Sequence, residues 1–387
     1  MSSPEVSLLD PSAFTPPYDR SLAAALARAG TDVELLTSRF LYGPVPPPVG
    51  YLVRELFYRR ATSRGPGWRL RLPVKALEHV PGMLAARRRT ARAGVVHWQW
   101  VTLPAVDRFL LGPRRPGQPR VLTLHAPLPK PGQTRALRAS HRFLSGFDAV
   151  IAHTEGGAER LRGEVGLDPF RIHVIPHGPL DYLTDLPDAA PLPEGLAAVD
   201  VPVILFFGLL RPYKGIDTLL EAFRQLTAQG TEAELWIAGM PRMPLEPLRE
   251  LAARARGTVR FMPRFIPDRE IPALMRRADV LALPYREIEQ SGVLYTGLAF
   301  GKPMVLGDVG GFSEIGRRDG AARLVPPGDA LALTAALSDL VEHPEERERL
   351  SAAAAQAVAG EFSWEAIAAR TLQLYADLGA AGSSRSR

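Results

Sequence analysis

Arg211 and Lys214 stand three residues apart in GLLRPYKG, between Gly208 and Gly215. A guanidinium fork and a mobile ammonium, flanked by residues without side chains, suit a diphosphate. A second stretch, EIEQSGVLYTGLAFGKP over 287–303, crowds Glu287, Glu289 and Gln290 ahead of Ser291 and Gly292. Those small residues open an apolar helix that ends at Gly301. Such a helix start offers free N–H groups and positive dipole to an anion. The competing reading is turn chemistry alone, with Ser291 as a plain N-cap. A third stretch, PRFIPD at 263–268, puts Arg264 and Phe265 where a nucleobase could lie against backbone. A fourth, GDVGGFSEI, turns tightly at Gly310 and Gly311 before Ser313 and Glu314.

Each of these stretches follows a short apolar run, which sets the scaffold they need. In the first half, runs at 6–9, 33–37, 95–98, 121–124, 149–152 and 172–175 are short and apolar, as buried parallel strands are. Helical patterns lie between them; SLAAALARAG places Leu22, Ala25, Leu26 and Ala29 on one stripe and stops at Gly30. Residues 178–200 are rich in Pro, Asp and Gly and read as a linker. The alternation then restarts with VPVILFFG, followed by ELWIAG, TVRFM, DVLALP and PMVLGD. Two βα arrays predict an α/β protein of two Rossmann-like doubly wound domains, 1–187 and 200–363, with a disordered tail at 381–387. Ligands are expected beyond the carboxyl ends of the strands, in a cleft between the domains.

Composition narrows the chemistry. With 387 residues, 46% hydrophobic and 23% charged, the chain suits a two-domain globular protein. It has no cysteine, hence no disulfide, thiolate nucleophile or sulfur-bound metal. No signal peptide and no run long enough to span a membrane are expected, which places the protein in the cytoplasm. The net charge of +6 is regional: residues 51–92 hold eleven basic and two acidic residues, +9, leaving about −3 elsewhere by subtraction. Three fates are open for that stretch: a solvated face, peripheral docking to anionic lipid at the inner face of the plasma membrane with Trp68, Phe57 or Tyr58 as anchors, or nucleic-acid binding. The last ranks lowest, and no nucleic-acid partner is expected, because no recognition module accompanies the charge.

Taken in order, FFGLLRPYKGIDTLLEAF, IPALMRRADVLALPY, SGVLYTGLAFGKPMV and DVGGFSEI resemble the retaining glycosyltransferases of family 4, which have the GT-B fold. The likeness is strong from about 201 to 316 and looser before, where VLTLHAPLP looks like a His-bearing strand end. FSWEAIAARTLQLYADL looks like the last helix, which in that fold crosses back to the N-terminal domain, here at 364–380. The resemblance implies transfer of a sugar, with retention, from a nucleotide-diphosphate sugar to a glycan or lipid-linked acceptor, with no cofactor and no metal. It places the donor on Gly208, Arg211, Lys214, Arg264, Phe265, Glu289, Ser291, Gly292, Val293 and Thr296. His125, Arg211, Lys214 and Glu289 would be catalytic, the two cations offsetting charge that grows on the diphosphate.

Three departures from that family stand out. Its usual pattern is Glu, seven residues, Glu; matching LAFGKP puts Thr296 at the second position, and the first falls on Glu289, with Glu287 and Gln290 as alternatives. The loop after the first strand, PSAFTPPYDR, lacks the family's glycine pair, and its Tyr18 and Asp19 are assigned to the acceptor side. His125 is followed by Ala126 where an Asp is common. His125 and His177 are expected to line the cleft, each against the plain reading of a hydrogen-bonded strand-end histidine, while His97 and His153 are taken as structural. These departures keep a second hypothesis open, a glycosyltransferase-like fold that has lost turnover and acts as a partner subunit.

Overall fold

The computed structural model describes residues 5–130, 132–288 and 290–384. The chain divides into two compact units, residues 1–178 with 364–387, and residues 179–363. In the N-terminal unit β1 (Val6–Asp10), β2 (Val33–Ser38), β3 (Leu52–Phe57), β4 (Val95–Trp98), β5 (Arg120–Thr123), β6 (Ala149–Ala152) and β7 (Ile172–Val174) form a parallel sheet in the order 3-2-1-4-5-6-7. The crossovers carry α1 (Pro16–Arg28), α2 (Arg71–Arg89), α3 (Pro104–Leu110), α4 (Thr134–Leu144) and α5 (Glu155–Gly163). Successive strand residues feed opposite faces. Leu9 and Leu36 join one apolar cluster with Phe57, Trp98 and Phe147, while Leu8 and Leu35 join another with Leu22, Leu26 and Ile367.

β3 escapes the apolar-run criterion because it is an edge strand whose Arg54 and Glu55 interrupt its apolar residues. It is held by pairing with β2 and by Arg54, whose guanidinium donates to the buried Glu34 at 3.2 Å. α1 begins at Pro16, six residues before the expected stripe opens at Leu22. Proline fits there because the first helical turn needs no N–H partner. The glycine-free loop before it is organised instead by Asp10, whose carboxylate accepts from the N–H groups of Ser12, Phe14 and Thr15 at 3.2, 2.5 and 3.2 Å.

The C-terminal unit repeats the plan. β8 (Val203–Phe207), β9 (Glu234–Ala238), β10 (Val259–Met262), β11 (Val280–Leu283), β12 (Met304–Gly307) and β13 (Arg323–Val325) are ordered 10-9-8-11-12-13. Around them lie α6 (Glu194–Ala197), α7 (Ile216–Ala228), α8 (Glu246–Ala252), α9 (Ile271–Arg277), α10 (Gly292–Ala299), α11 (Gly310–Arg318), α12 (Ala330–Glu342) and α13 (Pro344–Ala359). The expected boundary at 187 moves to 178. Leu183 is buried in this unit's core with Leu180 and Leu186 against it, and the Tyr182 hydroxyl donates to Asp268 at 2.8 Å. The leucines, not the Pro and Asp around them, decide where that segment packs.

The last helix, α14 (Trp364–Ser384), belongs to the N-terminal unit, where it packs on α1. It runs past the expected end at 380 through Ser384. Residues 385–387 of the expected disordered tail lie outside the described residues.

Candidate functional site

In the C-terminal unit the loops after β8 and β11 meet around one ammonium. Lys214 is buried at 6% exposure, and its Nζ donates to the Tyr285 hydroxyl at 2.8 Å, 4.5 Å from the ring centroid. No described carboxylate pairs with it. Burial, with Arg211 adding like charge, pushes Lys214 down to about 8. The loop can carry this residue because Gly215 holds a left-handed conformation, φ +67°, and a Cβ there would lie 2.1 Å from the carbonyl oxygen of Pro284. Gly208 leaves similar room: a Cβ would approach Nζ of Lys214 to 3.2 Å and the Val293 side chain to 3.0 Å. Arg211, at the N-cap of the short turn Pro212–Lys214, is exposed.

Ser291 does not act as a capping side chain. It occupies the N-cap of α10 but makes no side-chain cap bond; its hydroxyl lies near that of Tyr285, whose own acidity burial suppresses. No described residue accepts from the N–H groups of Gly292 and Val293. Lys214, Tyr285, Ser291, Gly208 and Val293 thus form one cluster with an uncompensated cation and free helix-start donors, the composition of an anion cradle.

Other assigned donor residues sit elsewhere. Thr296 is buried, and its hydroxyl donates to the Gly292 carbonyl at 3.0 Å. Mid-helix threonines commonly satisfy themselves this way, which leaves the hydroxyl oxygen to a ribose as an acceptor only. Arg264 is paired with Glu270 beyond β10, next to Phe265, which is half-exposed. Glu289 lies outside the described residues. Of its alternatives, Glu287 is exposed, and Gln290 is half-buried with an amide Nε2 that has no partner among the described residues.

The N-terminal unit collects rings. Strand register places Thr123 opposite Ile151, so His125 and His153, two residues on, emerge side by side. Their Nδ1 and Nε2 are 3.2 Å apart. His153 Nδ1–H donates to the Ile175 carbonyl at 2.9 Å, which leaves its Nε2 as acceptor for His125 Nδ1–H. The other His125 nitrogen, Nε2, then carries only a lone pair and lies 3.0 Å from the end of the Gln99 side chain, which bonds it when the amide is turned to present its NH2. Its ring stacks on Trp100 at 5.5 Å and 16° and meets the Tyr18 ring edge-on at 4.7 Å. His177 Nδ1–H donates to the Gly178 carbonyl at 2.6 Å, and its ring lies 4.6 Å from that of Tyr18. Desolvation, reinforced by the neighbouring histidines, holds His125 well below its ordinary value; His177 is pushed to about 3 by burial and His153. Burial alone brings His153 to about 4. Near neutral pH these rings are uncharged.

Two acceptor-side assignments are corrected here. Tyr18 is a buried core ring, and Asp19 is buried beside Asp10 in a hydrogen-bonded carboxyl pair. Both residues lie inside α1, because the helix starts at Pro16. His125 also changes character, since both ring nitrogens are engaged by protein groups.

Residues 19–179 match the model for glycosyltransferase family 4, and residues 201–343 that for glycosyl transferases group 1. A D-inositol 3-phosphate glycosyltransferase of Xylanimonas cellulosilytica is 31% identical over 93% of this chain and 90% of that one. The chain belongs to glycosyltransferase family 4. It is a glycosyltransferase, and the idea of a partner subunit without turnover gains no support from these relatives. A phosphatidyl-myo-inositol mannosyltransferase of Mycobacterium leprae is 33% identical over 54% of each chain. Among solved structures, sucrose-phosphate synthase of Thermosynechococcus elongatus superposes with a TM-score of 0.72 at 23% identity, over 97% of this chain and 99% of that one. Anabaena Alr3699/HepE in complex with UDP and glucose gives 0.69 at 18% identity, over 97% and 100%. With two parallel-sheet α/β units and these likenesses, the fold is GT-B.

For a family 4 glycosyltransferase, the residues that sequence reasoning missed are Tyr285, Gln99, Trp100 and His153. A usable signal existed for each: all lie one or two residues beyond a strand end, where His125 and Gly208 also lie. Phe57 and Tyr58, named as lipid anchors, are buried, while Leu72 and Leu77 of α2 stand 75% and 78% exposed. Among the described residues no helix is long and apolar enough to cross a membrane, and no group of three or more His, Asp or Glu is placed to hold a metal ion.

Proposed function

We propose that this enzyme moves a sugar, with retention and without a metal, from a nucleotide-diphosphate sugar to a lipid-linked or glycan acceptor. The observation that carries the reading is Lys214, a buried ammonium without a carboxylate beside free helix-start N–H groups. Arg211 supplies the second cation. As the glycosidic bond breaks, electrons pass to the leaving phosphoryl oxygen, and a low-dielectric cation there stabilises the transition state more than the ground state. With His125 held in the network of Gln99 and His153, the departing diphosphate oxygen serves in this reading as the base that takes the acceptor's proton. A UDP complex of Alr3699/HepE makes UDP the first nucleotide to test.

Calorimetric titration with UDP, GDP, ADP and TDP, with and without EDTA, decides the donor. One diphosphate is expected to bind in EDTA, and Arg211→Ala/Lys214→Ala to abolish it. Binding retained in the folded double variant would refute the site.

The acceptor side supports an anionic or lipid-linked partner. Lys75 Nζ, half-buried between the rings of Tyr58 and Phe14, donates to Ser12 Oγ at 2.9 Å, with no described carboxylate paired to it. On α2, Leu77, Val80 and Leu84 share an exposed face with Arg88 near its end. Such a face suits docking to anionic lipid. Arg89 is left out of that face, because it is bonded to Glu34 at 2.6 and 3.0 Å. Leu77→Asp/Arg88→Glu should abolish sedimentation with phosphatidylglycerol vesicles and spare nucleotide binding; unchanged sedimentation would remove the membrane reading.

A further inference from the structure

A cavity of about 520 Å³ opens in the N-terminal unit between the end of β5, α3 and α4. Its walls are mostly apolar: Leu122, Leu124 and Leu128 come from β5 and the loop after it, Phe143 and Leu144 from α4, and Pro104 from α3. Such a volume lies within the roughly 300–1,000 Å³ of small-molecule sites. The polar groups in its lining are largely spoken for by the protein. Trp100 Nε1 donates to Thr15 Oγ1 at 2.8 Å, and Thr123 Oγ1 is 2.7 Å from His97. Gln99 lies between His125 and His97, and His125 is bonded at both nitrogens. Among the described lining residues only Arg108 is charged, and its guanidinium lies 4.4 Å from the Phe109 ring centroid.

A space of this size with so few spare donors and acceptors is a poor host for water or a sugar, whose hydroxyls would lose hydrogen bonds there. We infer that it is the seat of an aliphatic segment of the acceptor, which anchors the molecule beside His125. This rests on the transfer reading above, and it makes the acceptor an amphiphile: a polar nucleophilic end and a hydrocarbon part held in the N-terminal unit. α3 continues the apolar character outward, with Val106 and Phe109 exposed at 42% and 70%. A hydrocarbon longer than the cavity would therefore leave across that helix.

Hexyl, octyl and decyl β-glucosides, kept below their critical micelle concentrations, are the probes, titrated calorimetrically into the full chain. Affinity should rise about fourfold for each added methylene until the cavity is full. Ala105→Phe and Ser140→Phe, each adding a ring to the lining from a different helix, should each weaken decyl glucoside at least tenfold and leave diphosphate binding unchanged. Affinity indifferent to chain length, or to both substitutions, overturns the inference. The chain-length series on the wild type decides even if neither variant folds. The diphosphate titration separates the two readings. Diphosphate bound without chain-length dependence sinks the cavity assignment alone. Chain-length dependence without any diphosphate bound sinks the transfer reading, and with it the assignment of the occupant as an acceptor.

Discussion

The two units share an architecture, and the clusters around Lys214 and His125 at their strand ends treat ionisable groups in opposite ways. In the C-terminal unit Lys214 is buried with only a phenol for company, and burial holds it near 8. In the N-terminal unit four histidines sit at or next to strand ends, and His125, His153, His177 and His97 are each pushed low by burial and bonded to protein partners. Around Lys214 a charge is kept uncompensated; around His125 the polar groups cancel against each other. An uncompensated buried cation costs stability, so its persistence points to a ligand that compensates it. A satisfied polar network stiffens its surroundings and leaves an apolar surface. On the proposed reading, the donor side is built to attract and the acceptor side to shape.

The comparison breaks most directly at Lys214. Lys214→Met keeps the stem and removes the charge. Donor turnover should fall about 100- to 1,000-fold, as when one preorganised donor is lost from a transition state. Circular dichroism should stay unchanged. Near-wild-type turnover in a folded Lys214→Met would mean the uncompensated charge has no part in catalysis. Gly215→Ala attacks the loop that carries the lysine. A left-handed alanine whose Cβ would lie 2.1 Å from the Pro284 carbonyl oxygen should cost about 2–4 kcal/mol, read as a lowered melting midpoint. A midpoint within a degree of wild type would show that the loop tolerates side chains and that the glycine is not what positions Lys214.

How much of this was legible in the sequence follows the same divide. Arg211, Lys214 and Ser291 announce themselves because a cation pair between glycines and a small-residue helix start are local patterns. Tyr285 does not, since its role exists only once the β8 and β11 ends are adjacent. His153 reads as structural because a place beside a strand does not by itself say what the ring meets. Only the β5–β6 register puts it against His125. Thr296 sits where a sequence match expects a ligand contact, and a helix-internal hydrogen bond, invisible in the string, takes its hydroxyl proton. β3 was lost to its charged edge residues, and the boundary at 178 to a composition that hid three leucines among prolines. Strands buried on both faces were read well, because burial on both faces leaves a continuous apolar run.

A pH series sharpens the donor side. Free Lys214 titrates near 8, and a bound diphosphate favours its charged form, raising that value in the complex. The protonated enzyme is the binding form. Diphosphate affinity should therefore be level below pH 8 and fall by up to about tenfold per unit above it, until the value in the complex is reached. Calorimetric enthalpies at pH 8 should depend on the buffer, since binding takes up a fraction of a proton. In Lys214→Met both effects should vanish. A slope above pH 8 that survives the substitution would assign the titration to another group.

The smallest effect is expected at His125, and it tests the other half of the comparison. A proton carrier at the reaction centre would contribute about 100- to 10,000-fold and would leave its titration in the rate profile. His125 is uncharged and donates to His153, and its second nitrogen is met by Gln99. It shapes the wall of the apolar cavity and the ground between Trp100 and Tyr18. His125→Asn should thus lower turnover by about tenfold at most, since a polar side chain remains and only ring packing is lost. The effect should fall mainly on the acceptor KM, and the rate profile from pH 5 to 8 should keep its shape. A loss beyond 100-fold in kcat, together with disappearance of a limb near pH 6.5, would make His125 a proton carrier. The histidine network would then be machinery instead of scaffold, and the contrast between the two units would no longer hold.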